Sequence, residues 1–166
     1  MGIIKWILIA IAGIVLVGIV ASAVGLYILG RNQPKTEEIP LGAAEGKLTP
    51  CPQTPNCVST QADPSDESHY AEPIPYDGSA KALLEEVAEW IGQTPRAHVV
   101  ERRGRYLRAV FESRVFGFRD DVELFIPEDG GLVHFRSASR VGKSDLGVNR
   151  SRYLEFRDFV ESYTDE

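Results

Sequence analysis

The chain has 166 residues, of which 43% are hydrophobic and 25% charged, and this length leaves room for one core of ordinary size beside a membrane anchor. All 24 acidic residues and 17 of the 18 basic ones lie from Arg31 onward, so this part carries a formal charge of −7. A charge of that sign argues against a protein that holds nucleic acid by its phosphates.

The first predicted element is a membrane anchor. Residues 6–29 contain no charged side chain and include 14 Ile, Leu and Val residues. A helix of this length spans roughly 36 Å at about 1.5 Å per residue, which exceeds the ~30 Å hydrocarbon core. We therefore predict a transmembrane anchor at residues 1–30, with the lipid bilayer as its partner through residues 6–29. A cleavable signal peptide is the alternative, because Ala21-Ser22-Ala23 resembles a processing site.

The orientation of the anchor in the membrane is predicted from the residues on either side of it. Lys5 and the amino terminus on one side are balanced by Arg31 and Lys35 on the other, so the count of positive charges decides nothing. A very short N-terminal flank ahead of a large domain favours export of that domain. We predict a single-pass protein of the cell envelope, with a Pro-containing linker at residues 31–50 and one extracytoplasmic globular domain at residues 51–166.

Two cysteines open the predicted domain. Cys51 and Cys57 are separated by five residues, and two cysteines in an exported chain most simply form a disulfide. A metal site would need two more ligands and a different spacing. Cys57 can be a nucleophile only if it is reduced, and no histidine is close in sequence to activate it. We predict a disulfide, no metal site and no cofactor.

Helix and strand patterns follow. Apolar residues recur at three and four positions from Ala80 to Trp90, which predicts a helix that begins near Asp77 or Ser79 and ends at Gly92. A second helix is predicted over residues 149–163. Between them, four stretches have strand character, with short links that favour hairpins: residues 98–102, 105–113, 121–126 and 132–140. The predicted fold class is α+β, an antiparallel sheet of about four or more strands with two helices on one face, preceded by one transmembrane helix.

Alternation within the strands separates two faces of the predicted sheet. One face is apolar and packs against the helices. The other face carries charged side chains and forms either a ladder of cross-strand ion pairs or the wall of a binding site. These residues are Arg108, Glu112, Glu123, His134 and Arg136.

Three motifs recur in order along the domain. They are P-N-C-V-S-T at residues 55–60, F-x-F-x-D-D-V-E at residues 116–123, and R-S-A-S-R-x-G-x-S-D-x-G-x-N-R at residues 136–150. Together they resemble the bacterial and plant family catalogued as domain of unknown function 1499, over roughly residues 50–160. Thr60 departs from the serine expected at that position. The resemblance implies fold and kinship, and it brings no activity with it.

The third motif suggests an anion site. A strand that ends in Arg-Ser-x-Ser-Arg, a loop with two glycines and a helix N-terminus can present backbone N–H groups to a carboxylate or phosphate. The candidate ligand-binding residues are Arg136, Ser137, Ser139, Arg140, Ser144, Asp145, Asn149, Arg150, Asn56 and Asp121. In the alternative arrangement, Asp145 and Asn149 cap the helix while the arginines pair with Asp120, Asp121 and Glu123.

Two functional hypotheses follow from these residues. The first is a non-catalytic, membrane-anchored module that binds an anionic small molecule, a lipid headgroup or an envelope protein. The second is a hydrolase or transferase with Ser137, Ser139, Ser144 or Cys57 as nucleophile and Asp120, Asp121 or Asp145 nearby. No Gly-x-Ser-x-Gly elbow or evident histidine base supports the second hypothesis. Convergent arginines around a pocket would favour the first, and a hydroxyl or thiol within about 3 Å of a base the second.

Overall fold

The computed structural model describes residues 2–164 of the chain, which contain three α-helices and eight strands. The helices are α1 (Gly2–Arg31), α2 (Ala80–Gln93) and α3 (Val148–Thr164). The strands are β1 (Ala43–Ala44), β2 (Lys47–Leu48), β3 (Cys57–Ser59), β4 (Ile74–Tyr76), β5 (Ala97–Arg103), β6 (Tyr106–Glu112), β7 (Arg119–Phe125) and β8 (Gly131–Ser139). The ends of the predicted anchor and domain, Met1 and residues 165–166, lie outside the described residues.

Helix α1 is apolar and exposed along nearly all of its length. It runs for 30 residues, and among them only Gly30 is buried. It is long and apolar enough to cross a membrane, which makes it a candidate anchor. The helix continues without interruption through Ala21-Ser22-Ala23.

The main sheet has six strands, and every pair of neighbours is antiparallel. Its order is β3-β8-β7-β6-β5, and β4 lies beside the first half of β8 while β3 lies beside the second half. The α+β class with an antiparallel sheet is therefore confirmed. Strands β1 and β2 form a separate small hairpin.

The hydrophobic core lies between the sheet and helices α2 and α3. Strands β6, β7 and β8 contribute buried residues at alternate positions, and each helix contributes residues at helical spacing. Ser79 caps the start of α2 by accepting a hydrogen bond from the Ala82 amide at 3.3 Å. Members of this core include Leu107, Ala109, Val122, Leu124, Val133 and Phe135 from the sheet, Leu83, Leu84, Val87 and Ile91 from α2, and Tyr153, Phe156 and Val160 from α3.

The opposite, polar face of the sheet is covered by residues 33–48, which we call the strap. The strap contains a short 3-10 helix at Thr36–Glu38 and the β1–β2 hairpin, and it ends at the buried Leu48. The side chain of Gln61 holds the end of the strap through the Leu48 amide, at 2.7 Å, and the Gly46 carbonyl, at 2.9 Å. Within the segment predicted as a linker, residues 31–50, the side chains of Gln33 and Leu48 are buried, and oxygens of Pro34, Thr36 and Ile39 accept hydrogen bonds from arginines of the sheet.

A single glutamine joins α1 to the sheet. The buried Gln33 side chain donates to the carbonyls of Gly30 and Gly117 and accepts from the Arg119 amide at 2.9 Å. Gly30 is packed so closely that a Cβ there would overlap the Phe116 carbonyl oxygen. The last turn of α1 therefore lies against the hairpin between β6 and β7.

Candidate functional site

The third motif is divided between the two faces of the sheet. Strand β8 is extended, so its successive side chains point to opposite sides. Arg136 pairs across from Glu123 on the polar face, whereas Ser137 pairs across from Val122 on the helix face. The candidate residues therefore form separate clusters and do not surround one anion site.

On the polar face, one carboxylate holds two arginines. Asp121 accepts from Arg108 at 2.7 Å and from Arg140 at 2.8 Å, and all three side chains are at least 94% buried. The remaining N–H groups of the arginines bind oxygens of the strap: Arg108 reaches the Ile39 carbonyl at 3.2 Å, and Arg140 reaches the Pro34 carbonyl and the Thr36 hydroxyl, both at 2.9 Å. Arg140 thus has an internal partner for each of its donor nitrogens.

A second buried cluster lies beside the first. Glu123 accepts from Arg136 at 2.9 Å and from the Tyr106 hydroxyl at 2.8 Å, and it is fully buried. Burial raises the pKa of Glu123 above its usual value, although Arg136 and Tyr106 oppose the change. The Arg136 Nε is the one buried side-chain donor or acceptor without a partner among residues 2–164. Arg136 does not line the cleft beside the disulfide or the groove along α1.

On the helix face, the polar residues of the motif form a structural network around Asn149. The Asn149 side chain contacts the Ser137 hydroxyl and the Asn56 carbonyl, and it is fully buried. Ser139 donates to Asp120 at 2.6 Å, and Arg152 binds the other oxygen of Asp120 at 3.0 Å. Arg152 also donates to Ser137 and stacks 4.6 Å from the centre of the Phe111 ring. This network fastens α3 to β7 and β8.

Three further candidates have structural partners as well. Arg150 donates to the backbone carbonyls of Tyr70, Glu67 and Ser68, and so it fixes the loop before β4. Asp145 accepts from the Gly147 and Asn149 amides and caps the start of α3. The Asn56 side chain donates to the Gly142 carbonyl at 2.9 Å. Ser144, the remaining member, is exposed.

Three of the four candidate nucleophiles are bonded to side chains of the domain, and one of these pairs, Ser139 with the Asp120 carboxylate at 2.6 Å, meets the distance expected between a hydroxyl and a base. Cys57 forms a disulfide with Cys51. The Ser137 and Ser139 hydroxyls bind Asn149 and Asp120, and the structure shows no imidazole bonded to either of them in the described chain. Two hydroxyl–imidazole contacts occur elsewhere: Thr60 with His134 at 3.3 Å and Ser68 with His69 at 3.0 Å. Thr60 is buried and is also bonded to the backbone of Phe135.

His69 lies in an ordered pair with Asp66. Its Nδ1 is 2.7 Å from the Asp66 carboxylate and its Nε2 is 3.1 Å from the Thr54 carbonyl. Both neighbours are hydrogen-bond acceptors, so the imidazole can donate to both of them only when both of its nitrogens are protonated. Burial disfavours the charged ring, but the Thr54 and Asp66 contacts outweigh it, and the pKa of His69 is raised. Hydrogen bonds from Ser68 and His69 lower the pKa of Asp66 to about 2.

The His69 pair borders a cleft of about 500 Å³ beside the disulfide. Its walls include Lys47, Cys51, Gln53, Gln61 and Asp63. Acidic and basic side chains are mixed there, so the cleft favours neither sign of ligand charge. Within residues 2–164, no group of three or more His, Cys, Asp or Glu side chains is placed to hold a metal ion.

Several exposed loops share the end of the sheet to which α1 is joined; we call this the helix-proximal end. The β6–β7 hairpin tip, residues 113–118, contacts α1 through Gly30. The third-motif loop, residues 140–147, begins beside that hairpin, because the Arg140 amide donates to the Arg119 carbonyl at 3.0 Å. The turn at residues 94–96 lies at the same end, since the Arg96 carbonyl accepts from the Glu112 amide.

The helix-proximal end combines apolar and basic side chains. Leu146 is 94% exposed and Val115 is 71% exposed. Leu146 has a φ of 56°, a left-handed conformation that is unusual for a residue with a branched side chain. Three basic side chains at this end are exposed: Lys143 in the third-motif loop, Arg114 in the hairpin tip and Arg96 in the turn at residues 94–96. No signal in the motif pattern had separated these exposed residues from the buried ones.

The architecture defines a small α+β domain of one antiparallel sheet and two helices, joined to an apolar helix that is a candidate membrane anchor. A family model described as "Protein of unknown function (DUF1499)" matches residues 47–160, which is more than half of the chain. The chain belongs to this family. Searches of curated proteins and of solved structures found no match.

Proposed function

We propose that this protein is a single-pass membrane protein of the cell envelope whose extracytoplasmic domain is a non-catalytic module that binds phospholipid headgroups. The observation that carries the proposal is the position of the third-motif loop. This loop and the C-terminal end of α1 lie at the same end of the sheet, so a helix that spans a bilayer brings the loop to the bilayer surface.

Export of the domain is supported by the disulfide between Cys51 and Cys57. Disulfides persist in oxidising compartments and are rare where thiols are kept reduced. The uncharged run of residues 6–29 supports anchoring, because its length exceeds the hydrocarbon thickness by only a few ångströms at about 1.5 Å per residue. Together these features favour a domain that remains outside the membrane, attached to its outer surface.

The choice of phospholipid headgroups rests on charge. The chain from Arg31 onward carries a net charge of −7, yet the helix-proximal end exposes Arg96, Arg114 and Lys143. Each basic side chain near an anionic membrane surface contributes about 1 kcal/mol of attraction. The exposed Leu146 supplies an apolar contact beside Lys143, as is common in proteins that bind at the interface.

The buried arginines support a structural rather than a ligand-binding role. Arg136, Arg140 and Arg150 bind Glu123, Asp121 and backbone carbonyls respectively. An anionic small molecule would have to displace these internal partners, and removing a buried charge from its partner costs about 3–5 kcal/mol. A surface contact through exposed residues needs no such displacement.

The test uses the full chain in nanodiscs of phosphatidylcholine, with and without phosphatidylglycerol. A ligand that binds only the folded state raises its stability, so anionic lipid should raise the thermal unfolding midpoint. Lys143→Glu should reduce this increase. Lys81→Glu is the matched control, because Lys81 is exposed on α2 at the opposite end of the sheet.

The outcomes separate the partner classes. An equal loss of the lipid effect in the two lysine variants would show that overall charge, and not the loop, is responsible. A similar increase from inorganic phosphate in phosphatidylcholine nanodiscs would identify a free anion as the ligand. No increase with either additive would contradict headgroup binding and leave an envelope protein as the partner class to examine.

A further inference from the structure

The tip of the β6–β7 hairpin presents apolar residues beside α1. Val115 is 71% exposed, and the neighbouring Phe116 packs 6.1 Å from the Phe118 ring. The turn is ordered by backbone hydrogen bonds between Ser113 and Phe118, at 2.7 Å, and between Gly117 and Ser113, at 3.2 Å. An apolar side chain is therefore held outward at the end of a fixed turn.

The same tip lies along the apolar surface of the helix. A shallow groove of about 380 Å³ lies between them, bounded by Val115 and Phe116 on one side and by α1 on the other. On α1, the groove runs from Ile19 to Tyr27. At about 1.5 Å per residue, these positions lie roughly 3 to 15 Å along the axis from Leu29, the end of the uncharged run.

The hydrogen bonds of the Gln33 side chain fix the position of the hairpin tip relative to α1. Gln33 binds the carbonyls of both Gly30 and Gly117, and Gly30 leaves no space between the helix and the Phe116 carbonyl. The hairpin therefore cannot swing away from α1 without breaking buried hydrogen bonds. If α1 spans a bilayer, the tip lies below the level at which the helix leaves the hydrocarbon.

We propose that residues 113–118 insert into the same leaflet as the C-terminal half of α1 and form a second, shallow membrane contact. The inference rests on the proposed anchoring of the protein by α1. The acyl chains of the bilayer are the occupant of the groove, because its two walls are continuous with the apolar surface of the anchor.

The depth of insertion is limited by Arg114. A guanidinium is stable at the level of the headgroups, and its aliphatic stem can lie along the apolar surface beneath them. Val115 and Phe116 then contact the upper part of the acyl chains. The domain is consequently attached at two points, which sets its tilt on the membrane.

The experiment uses full-length chains with one tryptophan each, reconstituted in vesicles that contain lipid brominated either near the headgroup or near the chain end. Trp90→Phe leaves Trp6 in α1 as a reporter of anchor insertion. Trp6→Phe, Trp90→Phe and Val115→Trp together place the reporter at the hairpin tip. A matched chain with Leu132→Trp places it at the opposite end of β8, where Leu132 is 37% exposed.

Bromine near the headgroup should reduce the fluorescence at position 115 several-fold more than at position 132, and more than bromine near the chain end does. Equal responses at positions 115 and 132, with Trp6 still quenched, would overturn the hairpin contact and leave the anchor intact. If Trp6 is not quenched, the proposed anchoring itself is wrong. Both substituted positions are exposed, and a cooperative unfolding transition of each chain confirms that it is folded.

Discussion

The side-chain amide of Gln33 donates a hydrogen bond of 2.8 Å to the backbone carbonyl of Gly117, which ties the end of α1 to the β6–β7 hairpin. Gln33 is only 7% exposed, and it lies two residues after the helix ends at Arg31. The joint between helix and domain is therefore a buried, hydrogen-bonded contact and not a flexible connection.

We predict that Gln33→Ala lowers the free energy of unfolding of the domain by about 1–3 kcal/mol, because the Arg119 amide and the Gly117 carbonyl lose a buried partner. Urea unfolding of the full chain in detergent measures this change. Gln93→Ala is the control, since Gln93 is exposed and bonds only to Glu89 on the same helix. Equal effects of the two substitutions would show that the joint contributes no stability.

Asp121→Ala should lower the free energy of unfolding more than Gln33→Ala does. It leaves the buried Arg108 and Arg140 without their shared carboxylate, and such an uncompensated charge costs about 3–5 kcal/mol. Asp158→Ala is the matched removal of an exposed carboxylate that pairs with Arg157, and it should cost about 0–1 kcal/mol. Chemical denaturation of the three proteins compares these values. A loss at Asp121 no larger than at Asp158 would mean that the polar face is open to water.

Thiol labelling tests the disulfide and the sidedness together. In intact cells, a membrane-impermeant maleimide should label the partly exposed Cys51 only after reduction, whereas Cys57 is buried. Labelling without reduction would contradict the disulfide, and labelling only after lysis would contradict export of the domain. Replacing both cysteines by serine should lower the stability by about 2 kcal/mol on the chain-entropy estimate for so short a loop.

The His69–Asp66 pair predicts a specific dependence of stability on pH. The pKa of His69 is raised in the folded protein, so its contribution is complete below the unfolded pKa of about 6.5 and is lost as the pH rises through the folded pKa. As the pH rises from about 6.5 through the folded pKa, the free energy of unfolding should therefore fall more in the wild type than in His69→Gln. His98→Gln is the control, because His98 is exposed on β5. Identical pH profiles for the wild type and His69→Gln would refute the prediction.

Periodicity was enough to predict much of the fold. The two helices begin and end within a few residues of the predicted positions, because Ser79 and Asp145 cap them and the apolar spacing is regular. The four long strands were predicted for a similar reason, since their alternation is clear. Strands β3 and β4 were missed: each has only three residues, and β4 contains Pro75, so neither shows a measurable pattern.

The anion site at the third motif was a weaker inference from the same sequence. It placed Arg136, Ser137 and Arg140 around one ligand, although adjacent residues of an extended strand face opposite ways. The alternation already separates Arg136 from Ser137 once β8 is recognised as a strand. The roles of Gln33 and Arg152 could not be predicted, because Gln33 acts on residues more than eighty positions away and Arg152 looks like any exposed helical arginine.

The strap also affects how the protein acquires its fold. Its contacts with Arg140 join residues separated by 104 and 106 positions in the chain. Contacts between such distant residues form slowly, because a long loop must close before they are gained. Residues 33–48 leave the ribosome early, but the strap cannot bind Arg108 and Arg140 until β6 and β8 have been synthesised. The contacts of the strap with Arg108 and Arg140 therefore form only after these strands are in place, and until then the arginines and carboxylates of the polar face remain in water.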